Sequence, residues 1–367
     1  MRRLFALVAT VVLVDTMFYA AIAPLLPHYV DELGLSKSAA GILSASYAAG
    51  TLIGSLPSGW LAARIGVRPT VLTGLALLGS SSLAFAFANN VVVLDAARFA
   101  QGIGGACAWS GGLAWLLAAT PRERRGEVIG SAIAAAIGGV LLGPVLGGAA
   151  TVAGPEPVFS GVAVVAAGLA AWAASEPAAA PSPPPALRRV ATAMVATPVL
   201  VGFWLVALPA LFAGTLNVLA PLRLDDLGAS GLAIGAIWLL AAAVEAVLSR
   251  AFGRVSDRRG RLWPIRVGLA VSATVVVVLP LLDHTVLLGT GVVAAVVALA
   301  FFWAPATALL SDAAEATGLD QGFAFALVNL AWAGGQVLGG SGAAALKKRS
   351  RSMSSWTCSS LWPVCSA

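Results

Sequence analysis

Repeated apolar runs of about 20 residues constrain the fold of this chain more than any other feature. A helix that rises 1.5 Å per residue needs about 20 apolar residues to cross about 30 Å of hydrocarbon. Eleven such runs are present, at 4–27, 39–62, 69–88, 91–118, 128–150, 157–175, 198–222, 231–252, 263–282, 285–310 and 322–346. Only 10% of the residues are charged and 59% are hydrophobic, which excludes a water-soluble domain. We therefore predict an all-α membrane protein with many crossings.

The first run follows Arg2 and Arg3, as the core of a signal peptide would. It is longer than such a core and carries Asp15 near its middle, so we interpret it as a membrane helix that stays in the protein. A β-barrel would show alternating segments of about 10 residues instead of continuous apolar runs. We therefore expect a helix bundle.

Positive charges are distributed unevenly among the loops. If the N-terminus is cytoplasmic, the outer loops before residue 346 hold only Lys37 and Arg223, as the positive-inside rule requires. The net charge of +6 then needs no nucleic-acid partner. We predict a location in the inner or plasma membrane with the N-terminus inside. The Arg-rich, Lys-poor composition indicates a bacterial source.

The second half of the chain repeats the first. Three short matches recur in the same order at offsets of 194–197 residues: Ala23-Pro24-Leu25 with Ala220-Pro221-Leu222, Gly59 to Gly66 with Gly253 to Gly260, and Gly138 to Gly143 with Gly334 to Gly339. An internal duplication is typical of secondary transporters. We predict a six-helix bundle at 1–175, a Pro- and Ala-rich cytoplasmic linker at 176–197, and a five-helix bundle at 198–346.

The repeat also predicts a twelfth span near residue 352. Residues 347–367 are instead basic at first and then rich in Ser, Trp and Cys. We interpret them as an aberrant or disordered tail in place of the expected span. A natural eleven-span protein with a short tail is the alternative.

The loop after the second run reads Gly59-Trp60-Leu61-Ala62-Ala63-Arg64-Ile65-Gly66-Val67-Arg68, and its repeat begins at Gly253. These loops resemble a signature of the major facilitator superfamily, in particular its drug:proton antiporters and, more distantly, the vesicular amine transporters. The resemblance implies a conformational latch that leans on Asp257, because Ala63 stands where the family pattern has an acid. A loop that only serves the positive-inside rule is the alternative. The latch candidates are Arg64, Gly66, Arg68, Gly253, Asp257, Arg258, Gly260 and Arg261.

The fourth and fifth runs carry two further motifs of that family. Leu94-x-x-x-Arg98-x-x-Gln101-Gly102-x-Gly104 is similar to its intramembrane Arg motif. The fifth run resembles its antiporter signature at Gly139, Gly143, Pro144, Gly147 and Gly148. Glycines four residues apart let helices touch backbone to backbone, and proline loosens the helix where it bends. Plain close packing is the alternative.

Charged side chains within apolar runs are the candidates for proton coupling. A charge at the centre of a membrane helix costs about 2.5–3.5 kcal/mol on insertion scales, so such residues persist mainly where they serve function. Asp15 lies near the midplane of the first run and is the first candidate for the proton carrier. Arg98 is its candidate partner cation, a role that the resemblance implies, and Glu245 is a second acid. A structural hydrogen bond is the alternative for each acid.

Polar and aromatic residues within the runs are candidates for a substrate cavity. Aromatic faces next to an acid suit lipophilic cations, although such aromatics also face lipid or pack in cores. The candidates are Tyr19, Gln101, Trp109, Asn217, Trp238, Asn329, Trp332 and Gln336.

We predict a secondary transporter, not an enzyme, that exports a small lipophilic or cationic molecule in exchange for protons. The expected partners are this substrate, protons and the lipid bilayer. A nutrient or metabolite symporter or facilitator, or a truncated membrane protein that does not transport, is the alternative. We predict no cofactor and no metal site, because His28 and His284 have no metal-ligand partner nearby in the sequence.

Overall fold

A computed structural model describes residues 2–22, 25, 29, 32–33, 37–178, 187–229 and 231–339. No strand is assigned within these ranges. The α-helices are α1 (Arg2–Ala20), α2 (Lys37–Ile65), α3 (Val67–Ala86), α4 (Val91–Ala118), α5 (Arg125–Ala153), α6 (Pro155–Ser175), α7 (Leu187–Met194), α8 (Thr197–Asp226), α9 (Gly231–Arg259), α10 (Leu262–Val278), α11 (Thr285–Ala316) and α12 (Gln321–Gly339).

Each predicted span coincides with one long helix, so the all-α fold class is confirmed. Within the described residues, ten helices are long and apolar enough to cross a membrane. Some residues of these predictions lie outside the described ranges. They are the tail at 347–367, which includes the position of a twelfth span near 352, and Ala23, Pro24 and His28.

In the first half of the molecule (α1–α6), α6 covers α1 and α3. The rings of Phe18, Phe85 and Phe159, one from each helix, lie with centroids 5.0–5.8 Å apart. The Ser82 hydroxyl of α3 donates to the Phe159 carbonyl of α6 at 2.6 Å. Aromatic packing and a buried hydrogen bond therefore hold the sixth helix in place.

In the second half (α8–α12), an apolar groove of about 1040 Å³ lies between α8, α10 and α11. Its lining includes Leu269, Ala273 and Val276 of α10 and Leu279, the residue that follows this helix. The α3 residues 194 positions earlier are Leu75, Gly79, Ser82 and Phe85, and the last two hold α6. By the internal repeat, the groove thus lies where the first half places its sixth helix.

The two halves meet backbone to backbone at glycines. A Cβ on Gly126 of α5 would lie 2.7 Å from the Gly253 carbonyl oxygen of α9. A Cβ on Gly59 of α2 would lie 3.0 Å from the Phe323 Cα of α12. Close approach of this kind is how small residues stabilise helix pairs in membranes. These crossings place the ends of α2 and α9 beside the first turns of α12 and α5. We call this end of the molecule the Arg-rich end, and the C-terminal end of α11 lies there too.

Candidate functional site

Asp15 lies inside the first half and is only 1% exposed. The Tyr47 hydroxyl of α2 donates to Asp15 Oδ2 at 3.0 Å, and the Trp109 indole of α4 lies near this carboxyl group. Gly105 of α4 leaves the room for these groups, since a Cβ there would lie 2.5 Å from Tyr47 Oη and 3.0 Å from Asp15 Oδ2. Three helices therefore converge on one buried acid.

Arg98 of α4 is equally buried, at 1% exposed. Its guanidinium donates to Gln101 Oε1 at 2.7 Å and to the Tyr19 carbonyl at 3.1 Å. It also lies 5.4 Å from the ring centroid of Tyr47 and 5.7 Å from that of Tyr19, within the range of cation–π attraction. Tyr47 thus contacts both the acid and the cation, and the three form one cluster.

The cluster keeps unused hydrogen-bonding groups. Asp15 Oδ1, Arg98 Nε and Gln101 Nε2 are buried and make no hydrogen bond to the described part of the chain. Asp15 and Arg98 form no ion pair within 4 Å among those residues. Leaving a buried polar group unsatisfied costs about 1–3 kcal/mol, so these three atoms carry a free-energy cost in this conformation.

The antiporter-type motif of α5 places α1 beside this cluster. A Cβ on Gly143 would lie 2.8 Å from the Ala20 carbonyl carbon and 2.9 Å from the Met17 oxygen, and a Cβ on Gly139 would overlap the Leu13 oxygen. The buried Gly147 lies on the same face. A Cβ on Gly148, in contrast, would approach no other helix of the described chain within 4 Å, and Pro144 is exposed. Only part of the motif therefore holds α1.

Glu245 lies apart from the Asp15 cluster, in the middle of α9. The Trp303 indole of α11 lies near its carboxyl group. Trp303 is half-buried, as is Glu245 itself. The second half thus contains an acid–indole pair of its own.

Asp257 joins the halves at the Arg-rich end. Its carboxylate accepts the backbone N–H of Gly126 at 2.9 Å and that of Glu127 at 2.8 Å. Both N–H groups belong to the first turn of α5. A carboxylate is stabilised there because it caps free backbone N–H groups and because it lies at the positive end of the helix dipole. Arg261 pairs with Asp257 and also contacts Asp312 of α11 at 3.3 Å. Two predicted latch residues and Gly253 therefore meet in one interface.

The other latch candidates lie elsewhere. Arg68 donates to the Glu176 carbonyl at 3.0 Å within the first half, and Arg64 lies 4.8 Å over the Trp60 ring. Arg258 is exposed. Gly66 and Gly260 have φ values of 94° and 85°, which favour glycine, so they shape the loops.

Several residues of these sites were not singled out from the sequence. The most important of them is Tyr47, which contacts both Asp15 and Arg98. In the sequence it could be recognised only as a tyrosine within an apolar run. At the Arg-rich end, Glu127 pairs with Arg250 at 3.1 Å, and Glu315 of α11 pairs with Arg125 at 2.7 Å. Acids at the ends of predicted spans were the signal for this pairing.

The predicted cavity residues separate into groups. Tyr19, Gln101 and Trp109 belong to the Asp15 cluster. Asn329 of α12 donates to the Ala106 carbonyl of α4 at 3.3 Å, between the halves. Gln336 packs against Gly214 within the second half. Asn217 is exposed, and Trp238 and Trp332 are half-buried.

The chain resembles solved transporters over nearly its whole length. A proton:xylose symporter, XylE, solved with 6-bromo-6-deoxy-D-glucose, has a TM-score of 0.73 at 16% identity, covering 95% of this chain and 89% of that one. The human organic anion transporter MFSD10 also has a TM-score of 0.73, at 18% identity, covering 92% and 94%. At such identities the likeness shows the fold alone.

Sequence relatives match over shorter segments. An MFS-type transporter, ppzB, of Metarhizium majus (strain ARSEF 297) is 31% identical over 140 residues, which cover 36% of this chain and 30% of that protein. A probable vesicular acetylcholine transporter-B of Danio rerio is 33% identical over 156 residues, covering 40% and 32%. The quinolone resistance protein NorA of Staphylococcus aureus (strain MRSA252) is 31% identical over 127 residues, covering 35% and 33%.

The matched segments thus span about a third of the length of these relatives. The sequence profile of the Major Facilitator Superfamily, in contrast, matches residues 8–340. Together with the multi-pass helical fold, this match identifies the chain as a member of the major facilitator superfamily of membrane transporters.

Proposed function

We propose that the chain is a proton-coupled antiporter that exports a small lipophilic or cationic organic molecule. The observation that carries the proposal is the buried Asp15, held by Tyr47 and next to Arg98. Asp15 follows Arg2 by 13 residues of helix, which places it about 20 Å along α1. An acid at that depth is costly to insert, so it persists where it serves function.

Asp15 is the proton carrier of this proposal. The Tyr47 hydroxyl donates to it at 3.0 Å, and the Arg98 guanidinium lies over the ring of the same tyrosine. Because both Asp15 and Arg98 are 1% exposed, exchange of the proton with water requires movement of α1, α2 or α4. Protonation is thereby tied to a change of conformation.

Movement of the two halves would be controlled at the Arg-rich end. Asp257 bridges α9 to the first turn of α5 through two backbone N–H groups. Opening this end separates the carboxylate from those groups, so the contact acts as a latch on the closed state. Alternation of one half against the other around a central site is how transporters with repeated halves work.

Glu245 is the proposed contact for a cationic substrate. It lies beside Trp303 and 14 residues from either end of α9. A half-buried acid next to an indole attracts a cation by charge and by cation–π interaction. Relatives named for acetylcholine transport and for quinolone resistance support an organic substrate. Symport is the second candidate, since the fold that this chain shares with a proton:xylose symporter is compatible with either direction of coupling.

The test is uptake into proteoliposomes with an imposed pH gradient. Radiolabelled tetraphenylphosphonium, a quinolone and xylose would be offered to vesicles with an acidic or an alkaline interior. Antiport predicts accumulation only where the interior is acidic, and symport predicts the reverse. Liposomes containing the Asp15→Asn variant serve as the matched control. If the uptake of all three compounds is independent of the pH gradient, or is no greater than uptake into empty liposomes, proton coupling is refuted.

A further inference from the structure

Two crossings between the halves have the same geometry. At the first, a Cβ on Gly253 of α9 would lie 3.1 Å from Glu127 Cα, in the first turn of α5. At the second, a Cβ on Gly59 of α2 would lie 3.0 Å from Phe323 Cα, in the first turn of α12. Gly59 precedes Gly253 by 194 residues, and Glu127 precedes Phe323 by 196. The internal repeat therefore builds the same helix contact twice.

The acid that bridges the first crossing is missing from the second. Asp257 accepts the N–H groups of Gly126 and Glu127 across the interface. The residue 194 positions before Asp257 is Ala63, which is buried in an apolar cluster with Phe323 and Leu327. A methyl group cannot accept a hydrogen bond, so the first turn of α12 needs another cap.

Asp320 provides that cap from the same chain segment. Its Oδ1 accepts the Phe323 N–H at 3.0 Å. Gly322 and Phe323 are the residues that match Gly126 and Glu127 in the repeat. The N–H of Glu127 and its repeat match, the N–H of Phe323, are thus both capped by an aspartate. The first cap reaches across the interface, and the second lies within the start of one helix.

We propose that Asp320 replaces the missing acid at position 63, so that only one of the two crossings is latched. The Asp257 cap is broken when its crossing opens, because donor and acceptor lie in different halves. The Asp320 cap moves with α12 and stays intact. The α2–α12 crossing is then held by backbone packing. Asp257, together with the ion pairs Arg125–Glu315 and Arg250–Glu127, sets the electrostatic barrier to opening. This inference rests on the proposed alternation between the halves.

The test compares the two caps in a conformational measurement that needs no substrate. Nitroxides at Ile65→Cys and Ala316→Cys, two exposed positions on opposite halves, would report opening by pulsed electron spin resonance after removal of the native cysteines. Asp257→Ala should raise the open-to-closed ratio about 5- to 30-fold, the effect of one lost cap. Asp320→Ala should lower the melting temperature and leave that ratio within about twofold, since its cap is present in both states.

The reciprocal variant moves the cap to the interface. Ala63→Asp combined with Asp320→Ala should lower the open-to-closed ratio about 5- to 30-fold, because the new carboxylate must reach across the crossing. The inference is overturned if Asp320→Ala shifts the ratio as much as Asp257→Ala does, or if Asp257→Ala leaves it unchanged. The two proposals can fail separately. If the open-to-closed ratios change as expected but the protein shows no gradient-driven uptake in liposomes, this inference stands and the proposed coupling to protons is refuted.

Discussion

Replacing Gly143 by alanine should destabilise the protein because α1 and α5 touch at that residue. The added Cβ would lie 2.8 Å from the Ala20 carbonyl carbon and 2.9 Å from the Met17 oxygen, well inside the 3.4–4 Å of ordinary contact. Both neighbours belong to the backbone of α1, so the helix itself must shift. Overpacking of this kind costs about 1–3 kcal/mol, which corresponds to a fall of about 2–10 °C in melting temperature.

Gly148 is the matched control in the same helix and the same motif. A Cβ there would approach no other helix of the described chain within 4 Å. Alanine raises helix propensity by about 1 kcal/mol at either position, so a difference between the variants reports packing. Melting in detergent, followed by tryptophan fluorescence, should show a lower midpoint for Gly143→Ala and an unchanged or higher one for Gly148→Ala. Equal midpoints would refute the claim that the motif positions α1.

Three further changes test other parts of the account. Asp15→Asn should leave expression and membrane insertion intact and abolish gradient-driven accumulation; accumulation at the wild-type level would remove Asp15 from the mechanism. Tyr47→Phe removes one hydrogen bond to a charged group, worth about 1.5–3 kcal/mol, and should slow gradient-driven uptake about tenfold or more without affecting uptake down a substrate gradient. A helix with the packing face of α6, grafted after residue 339, should fill the groove at Leu269 and Val276 and raise the melting temperature; a graft with a polar face is the control, and equal melting of the two would contradict this role.

The positions of the helices and the identity of the buried charged residues could be predicted from the sequence. Apolar runs delimit helices because the bilayer imposes their length. Asp15 and Arg98 stood out because charges are rare in such runs. Tyr47 did not, since a tyrosine in an apolar helix has many uses and only the 3.0 Å contact with Asp15 distinguishes this one.

Contacts that depend on the rotation of one helix against another could not be predicted. Gly143 and Gly148 are alike in the sequence, and only the position of α1 separates them. The loss of an acid at Ala63 was visible, but its replacement by Asp320 was not. An aspartate just before a helix is a common N-cap. The sequence does not show that this cap stands in for an acid at position 63, because that depends on how α2 crosses α12.

The most direct test of proton coupling measures protons instead of substrate. Vesicles containing the protein and a trapped pH-sensitive dye would receive a transported compound with no pH gradient imposed. Antiport predicts that the interior becomes alkaline as substrate enters and protons leave, and that Asp15→Asn vesicles take up substrate down its gradient without this change. Substrate entry into wild-type vesicles with no movement of protons would contradict the account.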